Sequence, residues 1–321
     1  MKYLKLNFGG NMPIVGYGTW LAKDSALIDA LNEALNCGYR HIDTATAYEN
    51  EHVIGKVLNE WIASGKGTRD ELFIVTKLPP YANRASDVEE CLKKSLQSLQ
   101  LDYVDLYLVH TPFSVIATDD KSNLAAMNPD NTTDHLATWK VMEKQVSDGR
   151  TKAIGVSNFN IKQIQRLLNN CLIKPANLQI EHHLYLQQPE LVDFCRKNDI
   201  TVTAYSCLGT KGNRDLIGMK WSKELPEMLE NDSVLKIAEK HGKSPAQVIL
   251  RYIVQKDVAV IPKSTNPQRL AENIQIFDFE LDAADVETLR EQDAGEGGRI
   301  VWFEFFKGIS EHPEYPFSKE A

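Results

Sequence analysis

The chain has 321 residues, 43% of them hydrophobic and 25% charged, the mix of a folded chain with a sizeable core rather than of a disordered one. Its formal net charge of -8 offers no field for phosphate backbones or anionic lipid, so neither nucleic acid nor a membrane is expected as a partner. Five cysteines (Cys37, Cys91, Cys171, Cys195 and Cys207) are scattered without a Cys-x-x-Cys pair, which suits free thiols in a reducing compartment. No apolar run reaches the ~18 residues needed to cross a bilayer, and Gly9-Gly10 arrives before any signal-length apolar stretch. A cytoplasmic location is expected.

The first predicted element is a β-hairpin, residues 4–8 and 12–15 around Gly9-Gly10-Asn11, placed to close the bottom of whatever follows. After it, short β-branched or aliphatic runs alternate with longer segments of helical period. The runs fall at 14–18, 39–43, 72–77, 104–110, 153–157, 177–181, 201–205 and 258–262. Two of them, Leu72-Phe-Ile-Val-Thr76 and Val258-Ala-Val-Ile261, are continuously apolar, as strands buried on both faces are. Ser244-Pro245 and Asn266-Pro267 each set a capping side chain before a proline, the start of a helix. Eight βα repeats predict an α/β fold, a (β/α)8 barrel spanning residues 1–321 as one domain. Long rim segments are expected at 112–134 and 209–229, after the fourth and seventh strands, with a third irregular segment after Gly295.

Polar residues interrupt the apolar runs at their ends. Asp43 ends the second strand, Lys77 the third and His110 the fourth, each about one βα unit from the next, so a barrel would bring all three to one mouth. Tyr48, five residues past Asp43, can join them. A phenol with pKa ~10 is a poor acid near neutrality. A lysine ammonium beside it, held by Asp43, is expected to lower that value and make Tyr48 a usable proton donor, while a neutral His110 orients a carbonyl oxygen. None of the four makes a nucleophile-and-base pair, which favours redox chemistry with a hydride from a cofactor. Asp43 and Lys77 alone would read as a structural ion pair, but such a pair needs no phenol and imidazole at the same mouth. Glu181-His182-His183 suggests a metal site, yet adjacent strand residues face opposite ways, and no metal is expected.

The segment Lys263-Ser264-Thr265-Asn266-Pro267-Gln268-Arg269 runs from the last strand into a capped helix with two cations, hydroxyls and free N–H groups, a phosphate site. Together with Gly38-Tyr-Arg-His-Ile-Asp43-Thr-Ala-Thr-Ala-Tyr48, Thr76-Lys77-Leu78, Val109-His110, Gly155-Val-Ser157-Asn158-Phe159, Gln179-Ile-Glu181, Ala204-Tyr205-Ser206 and Ile261-Pro-Lys263-Ser264, it makes the chain resemble the aldo-keto reductase superfamily over nearly its whole length. Its start, Gly16-Tyr-Gly-Thr-Trp20, looks most like the animal aldose and ketosteroid reductases, the insect branch with its 3-dehydroecdysone reductases included.

The resemblance implies a catalytic tetrad of Asp43, Tyr48, Lys77 and His110. It also implies that Ser157, Asn158 and Gln179 hold a nicotinamide carboxamide on which Tyr205 stacks. Lys263, Ser264, Thr265 and Arg269 become the 2′-phosphate pocket, with Glu272 and Asn273 on the adenine, so NADPH is the expected cofactor. Thr19, Trp20, Asp43, Ser206, Leu208 and Thr210 complete the implied cofactor set.

Where similar enzymes carry tryptophan after the catalytic histidine this chain has Thr111, and Pro79-Pro80 follows Lys77-Leu78 where another pocket tryptophan is common. Cys207 stands in place of a proline. The pocket has lost two flat walls while Trp20 remains. Trp302, Phe303, Phe305 and Phe306, in a glycine-flanked and therefore mobile stretch, could supply the missing bulk or serve only as packing that seals the barrel. The expected substrate is a sizeable apolar aldehyde or ketone such as a ketosteroid or ecdysteroid, lying against Trp20, Tyr48, His110, Thr111 and that stretch. The expected assembly is a monomer. Two competing functions remain: a non-catalytic NADP(H)-binding module, marked by a broken tetrad that is not present here, and a lyase using Lys77 as a Schiff-base nucleophile, which Asp43 disfavours by keeping the ammonium charged.

Overall fold

A computed structural model describes residues 2–120, 123–210 and 225–317. The chain begins with β1 (Tyr3–Lys5) and β2 (Asn11–Pro13), antiparallel with Leu4 opposite Met12. Asn7 Nδ2 donates to the Pro175 carbonyl at 2.9 Å and Lys2 Nζ meets Asp257 Oδ1 at 2.6 Å. Both partners lie just before barrel strands, so the hairpin, whose turn the glycines predict, lies at the bottom of the barrel.

The barrel strands begin with β3 (Gly16–Gly18), β4 (His41–Asp43), β5 (Phe73–Leu78) and β6 (Val104–Val109). A small antiparallel ribbon, β7 (Ser114–Ile116) with β8 (Asn128–Asp130), occupies the first rim segment. The barrel resumes with β9 (Thr151–Ser157), β10 (Asn177–Glu181), β11 (Thr201–Tyr205) and β12 (Val258–Val260). Each of the eight pairs in parallel with its neighbour in chain order, the pattern of a (β/α)8 barrel. Closure comes from a parallel bridge between Val15 and Val260, with Val260 N–H donating to Ile14 O at 2.8 Å. At this seam Gly18 is required: a Cβ there would stand 2.5 Å from the Ile261 carbonyl oxygen.

Helices α1 (Asp24–Asn36), α2 (Glu51–Ala63), α3 (Val88–Leu99), α4 (His135–Ser147), α5 (Ile161–Leu168) and α6 (Pro189–Lys197) follow successive strands. Beyond β11 come α7 (Asp232–His241) and α8 (Pro245–Gln255), and beyond β12 come α9 (Pro267–Ile274) and α10 (Ala283–Arg290). In α3 the buried positions Val88, Cys91, Leu92, Ser95, Leu96 and Leu99 recur every three or four residues, one stripe facing the sheet. The Ser244 hydroxyl caps α8 through Gln247 N–H, and Asn266 Oδ1 caps α9 through Arg269 N–H, as expected from their positions before proline. Every residue of β5 and β12 is buried, the physical counterpart of their apolar runs.

Of the second rim segment, residues 211–224 lie outside the described residues. The segment after Gly295 is docked rather than loose: Ile300, Val301, Phe303, Phe306 and Ile309 are buried. Gly298 serves close approach there, because a Cβ would come within 2.0 Å of the Tyr185 carbonyl oxygen.

Candidate active site

The ends of β4, β5 and β6 bring Asp43, Lys77 and His110 to one mouth. Tyr48 ends a single 3-10 turn, Thr46–Tyr48, between β4 and α2. That turn is tied to the strands: Thr46 Oγ1 donates to Lys77 O at 3.1 Å and lies 2.9 Å from Ser95 Oγ on α3. Lys77 is fully buried, and its Nζ donates to Asp43 Oδ1 at 2.6 Å, Thr44 O at 2.8 Å and the Tyr48 hydroxyl at 3.3 Å. The other Asp43 oxygen accepts from Gln179 Nε2 at 2.7 Å. The rings of Tyr48 and His110 meet edge to face with centroids 5.7 Å apart.

These environments set protonation. Burial, then the Asp43 charge, push the Tyr48 phenol well above its usual value of 10.0, the reverse of the lowering that a neighbouring ammonium leads one to expect. An ammonium at 3.3 Å does not offset the loss of hydration that a buried phenolate would suffer. The phenol therefore stays protonated. Burial and the Lys77 charge hold His110 well below 6.5, so its ring is neutral at working pH. Burial also draws Lys77 below 10.5, against the pull of Asp43.

A cavity of about 850 Å³ opens above these groups. Lys77 lies beneath its floor, and the other three residues line it. Its walls include Thr19, Trp20, Ser157, Asn158, Gln179 and Tyr205 near the mouth centre, and Ser206, Leu208 and Thr210 beyond them. Lys263, Ser264, Thr265, Arg269, Glu272 and Asn273 line its far end. Every residue expected to contact the cofactor thus borders one continuous space. The polar shelf is internally bonded: Ser157 Oγ donates to Gln179 O at 2.8 Å, Asn158 Nδ2 to His110 O at 2.9 Å, and the Tyr205 hydroxyl to Asn158 Oδ1 at 2.7 Å. Asn158 and Ser206 hold left-handed backbones, φ 64 and 52, a cost usually met where a site dictates geometry. At the far end Lys263 and Arg269 have no carboxylate partner among the described residues, and the buried Thr210 hydroxyl has no partner either. Two uncompensated cations at the start of α9 suit a phosphate.

Thr111, Phe303, Phe305 and Phe306 line the cavity, whereas Trp302 is not among its lining residues. The Trp302 indole Nε1 donates to Arg299 O at 3.1 Å and its ring packs edge-on against Phe317, so this tryptophan is packing, not pocket. Thr111 uses its hydroxyl on the Phe113 carbonyl at 2.8 Å. The walls expected to be missing are partly rebuilt by residues the sequence reading did not single out: Tyr81, Leu124 and Val301. Tyr81, an aromatic directly after Pro79-Pro80 in a rim loop, was the available signal.

Among the described residues no group of His, Cys, Asp and Glu is placed to hold a metal ion. Instead, the Glu181 carboxylate, buried at the end of β10, accepts from Ile300 N–H at 2.7 Å, Val301 N–H at 2.8 Å and His183 Nε2 at 2.8 Å. Burial alone would raise its pKa, but His183, Arg299 and the backbone bond bring it below 4.5, so it is ionised at neutral pH.

A barrel with these groups at its C-terminal mouth can deliver a proton from a buried phenol beside a cofactor-sized cleft. Residues 9–294 match the Aldo/keto reductase family, and the chain belongs to that family of oxidoreductases. Among its relatives is the NAD(P)H-dependent D-xylose reductase I,II of Candida tropicalis, 41% identical over 91% of this chain and 92% of that protein. Among solved structures, the aldose reductase of Schistosoma japonicum is 38% identical with a TM-score of 0.89, each chain fully covered. The aldo-keto reductase AKR2E5, an enzyme of the silkworm Bombyx mori solved complexed with NADPH, is 41% identical with a TM-score of 0.87, covering 99% of this chain and 94% of that one.

Proposed function

We propose that this protein reduces an aldehyde or ketone to the alcohol with NADPH, residues 1–321 acting as one reductase domain. The observation that carries the reading is the Lys77 ammonium bonded to both Asp43 and the Tyr48 hydroxyl, beneath a cavity that also borders Lys263 and Arg269, two cations with no carboxylate partner among the described residues. NADPH supplies the hydride. Lys263 and Arg269 hold its 2′-phosphate, which favours it over NADH. Ser157, Asn158 and Gln179 fix the carboxamide, and Tyr205 supports the ring. Neutral His110 donates to the substrate oxygen, and Tyr48 gives that oxygen its proton as negative charge develops there. Lys77 then stabilises the resulting phenolate, which burial would otherwise disfavour.

The mouth is walled by Trp20, Tyr81, Leu124, Phe303, Phe305 and Phe306, a surface suited to a sizeable apolar carbonyl compound of the ketosteroid or ecdysteroid kind. The assembly proposed is a monomer in the cytoplasm. All five cysteines are free, and no helix among the described residues is long and apolar enough to cross a membrane.

The test follows NADPH oxidation with short aldehydes, ketosteroids and ecdysteroids, for the wild type and Tyr48→Phe. The wild type turns over at least one of these, and the variant loses ~10²-fold or more in kcat while still binding NADPH. A variant with near-normal kcat removes Tyr48 from the role of acid.

A further inference from the structure

The aromatic wall that faces the substrate is not part of the barrel. It belongs to a segment that must be held against the mouth by something else. Three observations locate the hold. The Glu181 carboxylate receives both successive backbone N–H groups of Ile300 and Val301, one on each oxygen. Val301 lines the cavity, and Phe303, two residues on, does so with a left-handed backbone, φ 58. A bulky residue keeps that conformation only where its surroundings fix it. Arg299, 5% exposed, donates to Glu296 through Nε and Nη2, at 2.7 Å each, and sets its positive face over the Phe317 ring at 3.8 Å. The same Glu181 sits one residue past Ile180 and two past Gln179, whose side chain bonds Asp43. One strand end therefore carries both a group tied to the chemistry and a group tied to the substrate wall.

We infer that Glu181 is a positioning residue for substrate selection: its buried carboxylate clamps Ile300 and Val301, and thereby sets where Phe303, Phe305 and Phe306 stand over the mouth. Glu181 does not touch the reacting atoms. The backbone amides are oriented by an ionised acceptor with two oxygens, a stronger and more directional hold than a neutral side chain gives. An amide in its place can accept only on one side and turns an N–H₂ donor towards the second amide N–H. The clamp then opens at one of its two points. Large substrates, which use the whole wall, lose alignment. Short ones, which reach only Tyr48 and His110, do not. The inference rests on the carbonyl reductase reading given above.

The experiment compares wild type with Glu181→Gln, using NADPH with the bulkiest ketone and the shortest aldehyde that the wild type reduces. In Glu181→Gln, kcat/KM for the bulky ketone falls ~10-fold or more relative to the short aldehyde, and the NADPH dissociation constant stays within about twofold. Hydrogen exchange of the peptide containing residues 300–306 speeds up, while peptides from β5 and β6 are unchanged. Arg299→Gln, which leaves β10 intact and loosens the segment from its own side, shifts the same substrate ratio in the same direction. It carries the test if Glu181→Gln does not fold. An equal loss on both substrates, or unchanged exchange at 300–306, overturns the clamp. A wild type inactive on every carbonyl would instead overturn the reductase reading.

Discussion

Lys77 makes three bonds from one ammonium, and two of them, to Asp43 and to Thr44 O, are shorter than the one to the Tyr48 hydroxyl. The lysine is therefore fixed first and the phenol leans on it. This order bears on pH. His110 is neutral through the working range because burial and Lys77 depress it, and Tyr48 stays protonated because burial and Asp43 raise it. The group whose charge changes as pH rises is Lys77, drawn below 10.5. In the profile of kcat/KM for carbonyl reduction we expect no acid limb near 6.5 and an alkaline limb below 10.5, as the ammonium is lost. Lys77→Arg should move that limb upward while lowering the rate. An acid limb near 6.5 that disappears in His110→Gln would reverse the assignment. At this scale the sequence discloses identities well, since Asp43, Lys77 and His110 are polar interruptions of apolar runs. It does not disclose the sign of the shift on Tyr48, because burial depends on packing that no local spacing encodes.

Among the elements, α9 combines a cap, a proline and two cations in one short stretch, and each is visible in the letters of the chain. Asn266 Oδ1 holds Arg269 N–H at 3.0 Å, which sets the first turn while the Arg269 side chain stays exposed at the far end of the cavity. Replacing Arg269 by alanine should weaken NADPH binding by about 2 kcal/mol, the range of a charge-assisted contact, and leave NADH nearly unchanged. Titration with both cofactors decides it, and an equal loss on both would take Arg269 off the 2′-phosphate. The segment after Gly295 was less legible. Its four aromatics signal burial, but Phe303 and Phe306 pack on Phe113 with ring centroids 5.3 and 6.0 Å apart and also face the cavity, while Trp302 does neither. Within five residues of an irregular stretch, side chains have no periodicity to sort them.

Across the whole molecule the eight strands, their order and the capping hairpin follow from alternation and spacing, which a parallel barrel imposes along its entire length. The seam was not legible. β3 and β12 are each only three residues long, and their junction depends on Gly18 lying against the Ile261 carbonyl. Gly18→Ala puts a carbon 2.5 Å from a backbone oxygen that cannot swing aside. The barrel must open slightly, at a cost of ~1–3 kcal/mol, read as a lower Tm by calorimetry with hydrogen exchange fastest at β3 and β12. An unchanged Tm would mean that the seam has slack.

The segment that walls the cavity mouth is tied down near both of its ends. Near its start, Ile300 and Val301 bind Glu181. Near its end, His312 donates to Asp130 O at 2.8 Å, Glu314 pairs with Arg166 at 2.8 Å, and Asn160 reaches Pro316 O at 3.2 Å. Every one of these anchors precedes the segment in the chain. During synthesis, which proceeds from the N-terminus, the strands, Tyr48 and most of the cavity walls leave the ribosome before the residues that cover them. What covers the cavity is therefore made after what forms it, and the later-made residues settle onto anchors that earlier ones supply.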